Sequence, residues 1–144
     1  MENVNLPRPY QLDLLTWLQN QVLPNNNVHL FTGAPTLGNL ASYANMMANE
    51  VVASWYAAKA QSWFSPPIND PVVPGQLDII GADNEWNYSN GNGTDSAIVV
   101  PGYFITGPSS LLVGFAVFAN PVTIQTAYDG VAASPYIPLP PQAA

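Results

Sequence analysis

The stretch LLVGFAVFA, residues 111–119, contains no charged and no hydrogen-bonding side chain. Successive side chains of a strand point to opposite faces, so Leu111, Val113, Phe115 and Val117 share one side, and Leu112, Gly114, Ala116 and Phe118 the other. A strand apolar on both faces is either central in a layered β structure or covered by a neighbouring subunit. Turn residues bracket it: Gly107-Pro108-Ser109 before and Asn120-Pro121 after. Further β-type runs lie at 78–80, 85–89, 96–106, 122–126 and 134–139, separated by Asn90-Gly91-Asn92-Gly93 and Asp129-Gly130. Short strands at regular spacing predict a mainly β chain, an antiparallel β-sandwich of jelly-roll-like type.

The first half of the chain is less uniform. Pro7 and Pro9, with Arg8 between them, predict an extended arm over residues 1–9. Residues 10–23 lack proline and glycine, and Leu14, Leu18 and Val22 recur at i, i+4, i+8 beside Leu15 and Trp17. That spacing predicts an amphipathic N-terminal α-helix, ended by Pro24 and Asn25-Asn26-Asn27. VHLFT, 28–32, reads as a short strand. A short helix is expected over 42–48, with extended chain after Asn49. Pro66, Pro67, Pro71 and Pro74 make 65–75 an irregular connection. With 144 residues the expectation is a single domain over 10–139, followed by an extended tail at 140–144.

Charge sets strong limits on function. Arg8 and Lys59 are the only basic residues, against nine acidic ones, and charged residues make up 8% of the chain. Ordinary soluble domains carry about 25%. A phosphate-binding surface needs clustered Lys and Arg, so neither nucleic acid nor anionic lipid is an expected partner. The apolar run at 111–119 is about half of the roughly 20 residues a membrane-spanning helix needs. The first ten residues lack the pattern of a secretion signal, so synthesis in a cytoplasm is expected. There is no cysteine, which removes disulfides and thiolate metal sites. A surface poor in ions is cheap to cover, because little desolvation of charge is required.

Catalytic chemistry finds little support. His29 is the only histidine, and no serine lies in a nucleophile-elbow pattern; His29 is expected at the surface or in an interface. Asp83, Asn84, Glu85, Asn87, Asn90, Asn92 and Asp95 form an oxygen-rich cluster, but without the spacing of a calcium loop, and a solvated hairpin is the expectation. Asp83 and Glu85 share a strand face, as paired glycosidase carboxylates would, while Trp86 and Tyr88 on the other face suit either sugar stacking or an oligomer interface. Asn87-Tyr88-Ser89 and Asn92-Gly93-Thr94 match a glycosylation pattern by chance in an Asn-rich loop. No cofactor, metal or catalytic residue is expected. Candidate interface residues are Pro7, Arg8, Pro9, Trp17, Phe31, Trp86, Tyr88, Phe115, Phe118 and Tyr136.

Several of these phrases together resemble a family of small tailed-bacteriophage virion proteins. Gly102-Tyr103-Phe104-Ile105-Thr106, Gly114-Phe115-Ala116-Val117-Phe118 and Pro121-Val122-Thr123-Ile124 fill the places of that family's C-terminal strands. The 28–32 strand and the segment 49–57 fit its N-terminal half, so that most of 10–139 is covered. The family usually carries a charged pair where this chain has Val117 and its apolar neighbours. The resemblance implies a non-enzymatic capsid decoration (cement) protein on the outside of the phage head. It implies the major capsid protein as partner, and a homotrimer, because shell symmetry repeats at three-fold positions. A head-to-tail, tail or fibre component is the alternative within the virion. A carbohydrate-binding or host-adhesion module using Trp86 and Tyr88 is the alternative outside that class.

Overall fold

The computed structural model describes residues 8–64, 66–88 and 96–139. The fold is mainly β, with antiparallel sheets and an N-terminal helix. The described residues gather into two compact units that interleave along the sequence. The first draws on segments 8–24, 62–82 and 135–139, the second on 25–61 and 83–134.

In the first unit, helix α1 spans Arg8–Gln21. It begins within the predicted arm, so Arg8 and Pro9 are helical and not extended. Proline is tolerated there because the first-turn N–H groups have no intrahelical acceptor. Arg8 fixes the start, its guanidinium donating to Gln11 Oε1 (3.0 Å) and to the Gly75 carbonyl (2.6 Å). Gln19 donates to the Phe64 carbonyl at 2.8 Å. These contacts turn the helix by about one residue, roughly 100°, from the expected Leu14–Leu18–Val22 face. Gln11 and Leu15 are buried and Leu14 is exposed. Pro7 and the tail 140–144 lie outside the described residues.

The same unit holds a three-stranded antiparallel sheet in the order β3-β4-β9, from Ile68–Asn69, Leu77–Ile80 and Tyr136–Leu139. Leu77 and Ile79 are buried. Pro138 faces Asp78 in β9; at a sheet edge its missing N–H leaves no ladder bond unmade.

The second unit is built on a four-stranded antiparallel sheet, β2-β1-β6-β7. Its strands are β1 (Asn26–Phe31), β2 (Lys59–Gln61), β6 (Ile98–Gly107) and β7 (Leu111–Ile124). A two-stranded sheet pairs β5 (Asn84–Asn87) with β8 (Gly130–Ala133). Asp129-Gly130, read as a turn, thus opens a strand. The short helix α2, Tyr43–Ala48, begins where expected. The Ser42 side chain caps it by accepting from the Asn45 amide at 3.2 Å. Chain 49–51 then runs beside β1, with Thr32 N–H bonding the Asn49 carbonyl and Val51 N–H the Leu30 carbonyl.

The register sorts the side chains. His29, Phe104 and Phe115 stand in one row across β1, β6 and β7; Leu30, Tyr103 and Ala116 stand in the next, on the opposite face. Phe31, Met46 and Phe104 form a buried cluster against which Met47, Leu112 and Phe115 pack. The two-faced strand of residues 111–119 is not central. β7 is the edge strand, and the buried middle position belongs to β6. Nor do 111–119 and 122–126 form two strands across a turn. β7 continues through Asn120-Pro121: between the pairs Gly102↔Val117 and Val100↔Val122, β6 advances two residues while β7 advances five. The turn signal became an irregularity in an edge strand, where proline is admissible.

Gly102 permits this approach. A Cβ at that position would stand 2.0 Å from the Ala116 carbonyl oxygen and 2.9 Å from the Phe31 ring. Both neighbours are fixed, one in the backbone and one in the core. Gly102→Ala should therefore lower unfolding stability by about 2–3 kcal/mol or more, the cost of overpacking a tight site. Urea titration followed by circular dichroism reads this, and an unchanged midpoint would contradict the β6–β7 register.

Candidate functional site

The sheet carries an unforeseen polar constellation. His29 is buried, not at the surface, and its ring stacks on Phe104 (4.7 Å between centroids, 11° between planes). Nδ1 lies 2.7 Å from Glu50 Oε1, and Nε2 lies 2.9 Å from Thr106 Oγ1. The Tyr56 hydroxyl donates to the same Glu50 oxygen at 2.7 Å and accepts from the Leu30 amide at 3.1 Å. Burial and the Glu50 carboxylate push the Tyr56 phenol far above its ordinary range, so it stays a donor. Three neighbouring chain segments supply the row: 49–51 gives Glu50, β1 gives His29 and β6 gives Thr106.

Threonine, histidine and glutamate here have the distances of a nucleophile, a base and the group that orients the base. With Nδ1–H given to the carboxylate, Nε2 accepts from the threonine hydroxyl. A nucleophile also needs an open approach for the atom it attacks. Thr106 is 5% exposed and is flanked in the sheet by Asn27 and Leu112, so a carbonyl has no path to it. What the row does is tie β1, β6 and the 49–51 segment together with fully satisfied polar groups. Only His29 was singled out in the sequence, because its partners are 21 and 77 residues away.

The aromatic platform is also buried. Trp86 is 2% exposed and Tyr88 8%. The Trp86 indole donates to the Ala57 carbonyl at 2.7 Å and stacks near Tyr56 at 6.2 Å. Lys59 lies over its ring, 5.4 Å from the centroid, and donates to the Glu85 carbonyl. Neither aromatic offers a face to a sugar or to another subunit, which corrects both readings of the pair. A shallow depression of about 220 Å³ is lined by Glu85, Trp86, Asn87, Gly130, Val131 and Ala132. Glu85 is the one carboxylate among these six, and a glycosidase centre uses two. Asn90, Asn92 and Asp95 of the oxygen-rich cluster lie outside the described residues. Asn84 donates to Gln61 at 3.0 Å. Among the described residues no group of three or more His, Asp or Glu is placed to hold a metal ion.

The remaining interface candidates divide. Phe31 is core. Phe115 and Phe118 are half-buried, the latter 5.9 Å from the Tyr103 ring. Pro9 and Tyr136 are exposed, and Arg8 is half-buried. Trp17 is 56% exposed, and it has company that the sequence did not reveal. Tyr10, Leu14 and Trp17, at i, i+4 and i+7, form an outward apolar stripe on α1, all about half exposed or more. Leu14, expected on the inward face of α1, belongs to this stripe. Among the described residues no helix is long and apolar enough to cross a membrane.

Two carboxylates meet in the first unit. Asp78, in central strand β4, is buried, and its carboxyl shares the Gln76 side-chain amide with that of Asp70. Burial pushes the Asp78 pKa up, with Asp70 adding to the rise and the Gln76 amide opposing it. Asp70 goes down, because it accepts from the Val72 and Val73 amides, each at 2.6 Å. Gln76 donates to both, 2.9 Å to Asp78 and 3.2 Å to Asp70.

Comparison with protein-family models, with curated proteins and with solved structures finds no match.

The carboxylate pair has a pH signature. A raised folded-state pKa stabilises below the unfolded value, and that contribution is lost as pH rises through the folded one. Asp78→Asn keeps the bond accepted from Gln76 without the ionisation. Its stability relative to the parent chain should increase as pH rises from 4 to 8, measured by urea unfolding at each pH. A difference independent of pH would contradict the raised Asp78 pKa.

Proposed function

We propose that the chain is a non-enzymatic virion structural protein, a β-sandwich decoration protein that binds the outside of an assembled phage head and stabilises it. The observation that carries this reading is the outward stripe Tyr10, Leu14 and Trp17 on α1, in a chain where charged residues are 8% of the total. Tyr and Trp are the side chains that most often anchor an interface, and an apolar helix stripe fits a groove on a partner. The net charge of −7 supports an outward position, since packaged nucleic acid repels an acidic surface. The resemblance of the β6 and β7 sequences to small tailed-phage virion proteins supports the same class, with the major capsid protein as partner. Decoration strengthens a shell by mass action, because the protein binds assembled subunits and not free ones.

The test is co-sedimentation of the purified chain with undecorated heads built from the major capsid protein of its own particle. Saturable binding in shell-wide stoichiometry is expected, with a rise in the temperature at which the heads open. Leu14→Ala with Trp17→Ala should weaken binding by about tenfold to a hundredfold, the loss of 1.4–2.8 kcal/mol of anchor contact, while circular dichroism stays unchanged. Equal affinity of parent and variant, or equal binding to unassembled subunits, would overturn the proposal.

A further inference from the structure

Among the described residues every sheet has free edges, and all but one are blunt. β3 has two residues and β2 three; β5, β8 and β9 have four each. β2 also carries Lys59, whose side chain is held over Trp86 and the Glu85 carbonyl. Short length and an edge lysine are devices that stop strands from pairing with strangers. β7 is different. It has 14 residues and, among the described residues, pairs only with β6. No charged residue occurs between Asp95 and Asp129. Its ladder with β6 is regular from Gly114 to Val117, between two irregularities. Val117 is 55% exposed and Leu111 44%.

We propose that β7 pairs with β7 of a second copy of this chain, antiparallel across a two-fold axis near Gly114–Val117, giving a continuous eight-stranded sheet. An open edge presents unpaired N–H and C=O groups, and another strand satisfies them directly. Charge selects the occupant. With nine acidic and two basic residues, two copies repel each other over most of their surface, yet the segment 96–128 brings no charge to the contact. An edge on a strongly acidic protein that is meant for a basic partner segment would carry carboxylates of its own; this one carries none. The alternative ring, β7 of one copy on β2 of the next, would seat a 14-residue edge on three residues and a lysine. A two-fold pair uses the long edge twice. Pro121 has no N–H to give and marks one end of the pairing. The inference does not rest on attachment to a shell, and its test needs none.

The full-length chain should sediment as a dimer at micromolar concentration. Val117→Lys brings one ammonium group from each copy onto the paired edges beside the axis and should raise the dimer dissociation constant about tenfold or more, with an unchanged circular dichroism spectrum. Because the parent chain has no cysteine, single cysteines introduced at Gly114, Ala116 and Val117, one variant at a time, report the contact independently; a Cβ at Gly114 meets no other atom within 4 Å. Oxidation should cross-link at least one of them as a disulfide dimer, while Lys59→Cys stays monomeric under denaturing electrophoresis. A monomeric or trimeric parent chain, a Val117→Lys variant that is still dimeric, or cross-linking through position 59 alone would each overturn the proposal.

Discussion

The pairing of β1 with β6 is the interaction on which the second unit depends. Asn27–Phe31 and Gly102–Thr106 are more than 70 residues apart, and their register decides everything placed around them. It stacks His29 on Phe104, brings Thr106 within reach of the histidine, and sets Phe31 over the one position, Gly102, that has no side chain to obstruct it. A slip of one residue would exchange the two faces of each strand. His29 would then leave Glu50 and Thr106, and Val28 and Leu30 would leave the core. The polar row therefore does more than fill hydrogen bonds. It makes the wrong register costly, since a buried histidine or glutamate without its partners loses more than a misplaced valine does.

What was legible in the sequence was local. The short helix expected at 42–48, the strands expected at 78–80 and 85–89, and the Gly107-Pro108-Ser109 turn that ends β6 follow from helix propensity, β-type composition and turn residues. Failures occurred where a long-range partner decides. Proline denies a helix interior, so Pro9 suggested an arm; but its place in the first turn of α1 is secured by Arg8 reaching Gly75, 67 residues on. The same contacts set which face of α1 turns inward, and a glutamine was buried where a leucine was expected. Asn120-Pro121 has the chemistry of a turn, and only the length of β6 shows that β7 passes through it.

The candidate sites divide in the same way. Residue type alone placed His29, Trp86 and Tyr88 at the surface or in an interface, and all three are buried, His29 and Trp86 against partners far away in sequence. Aromatic and imidazole groups do this readily, because they combine large apolar area with one polar atom that a single carbonyl or carboxylate satisfies. The Trp86 indole needs only the Ala57 carbonyl. The exposed apolar residues include Leu14 on α1, whose spacing placed it inward, Trp17 beside it, expected in an interface, and Leu111 and Val117 on β7, expected at the centre of a layered structure or under a neighbouring subunit.

That exchange has a physical reading through charge. Natural sheet proteins protect an exposed strand with lysine, and exposed helices with i,i+4 ion pairs. This chain has two basic residues in all, and the structure uses both elsewhere: Arg8 on Gly75 and Gln11, Lys59 on Glu85 and Trp86. None is left for β7 or for the outer stripe of α1. A free monomer would expose the apolar residues of both to solvent, with no further basic residue to rim either. A subunit in an assembly gains from the same omission, because each surface is covered without stripping water from ions. The scarcity of charge and the location of the exposed apolar residues are thus one property, and it is the one on which the proposed assembly rests.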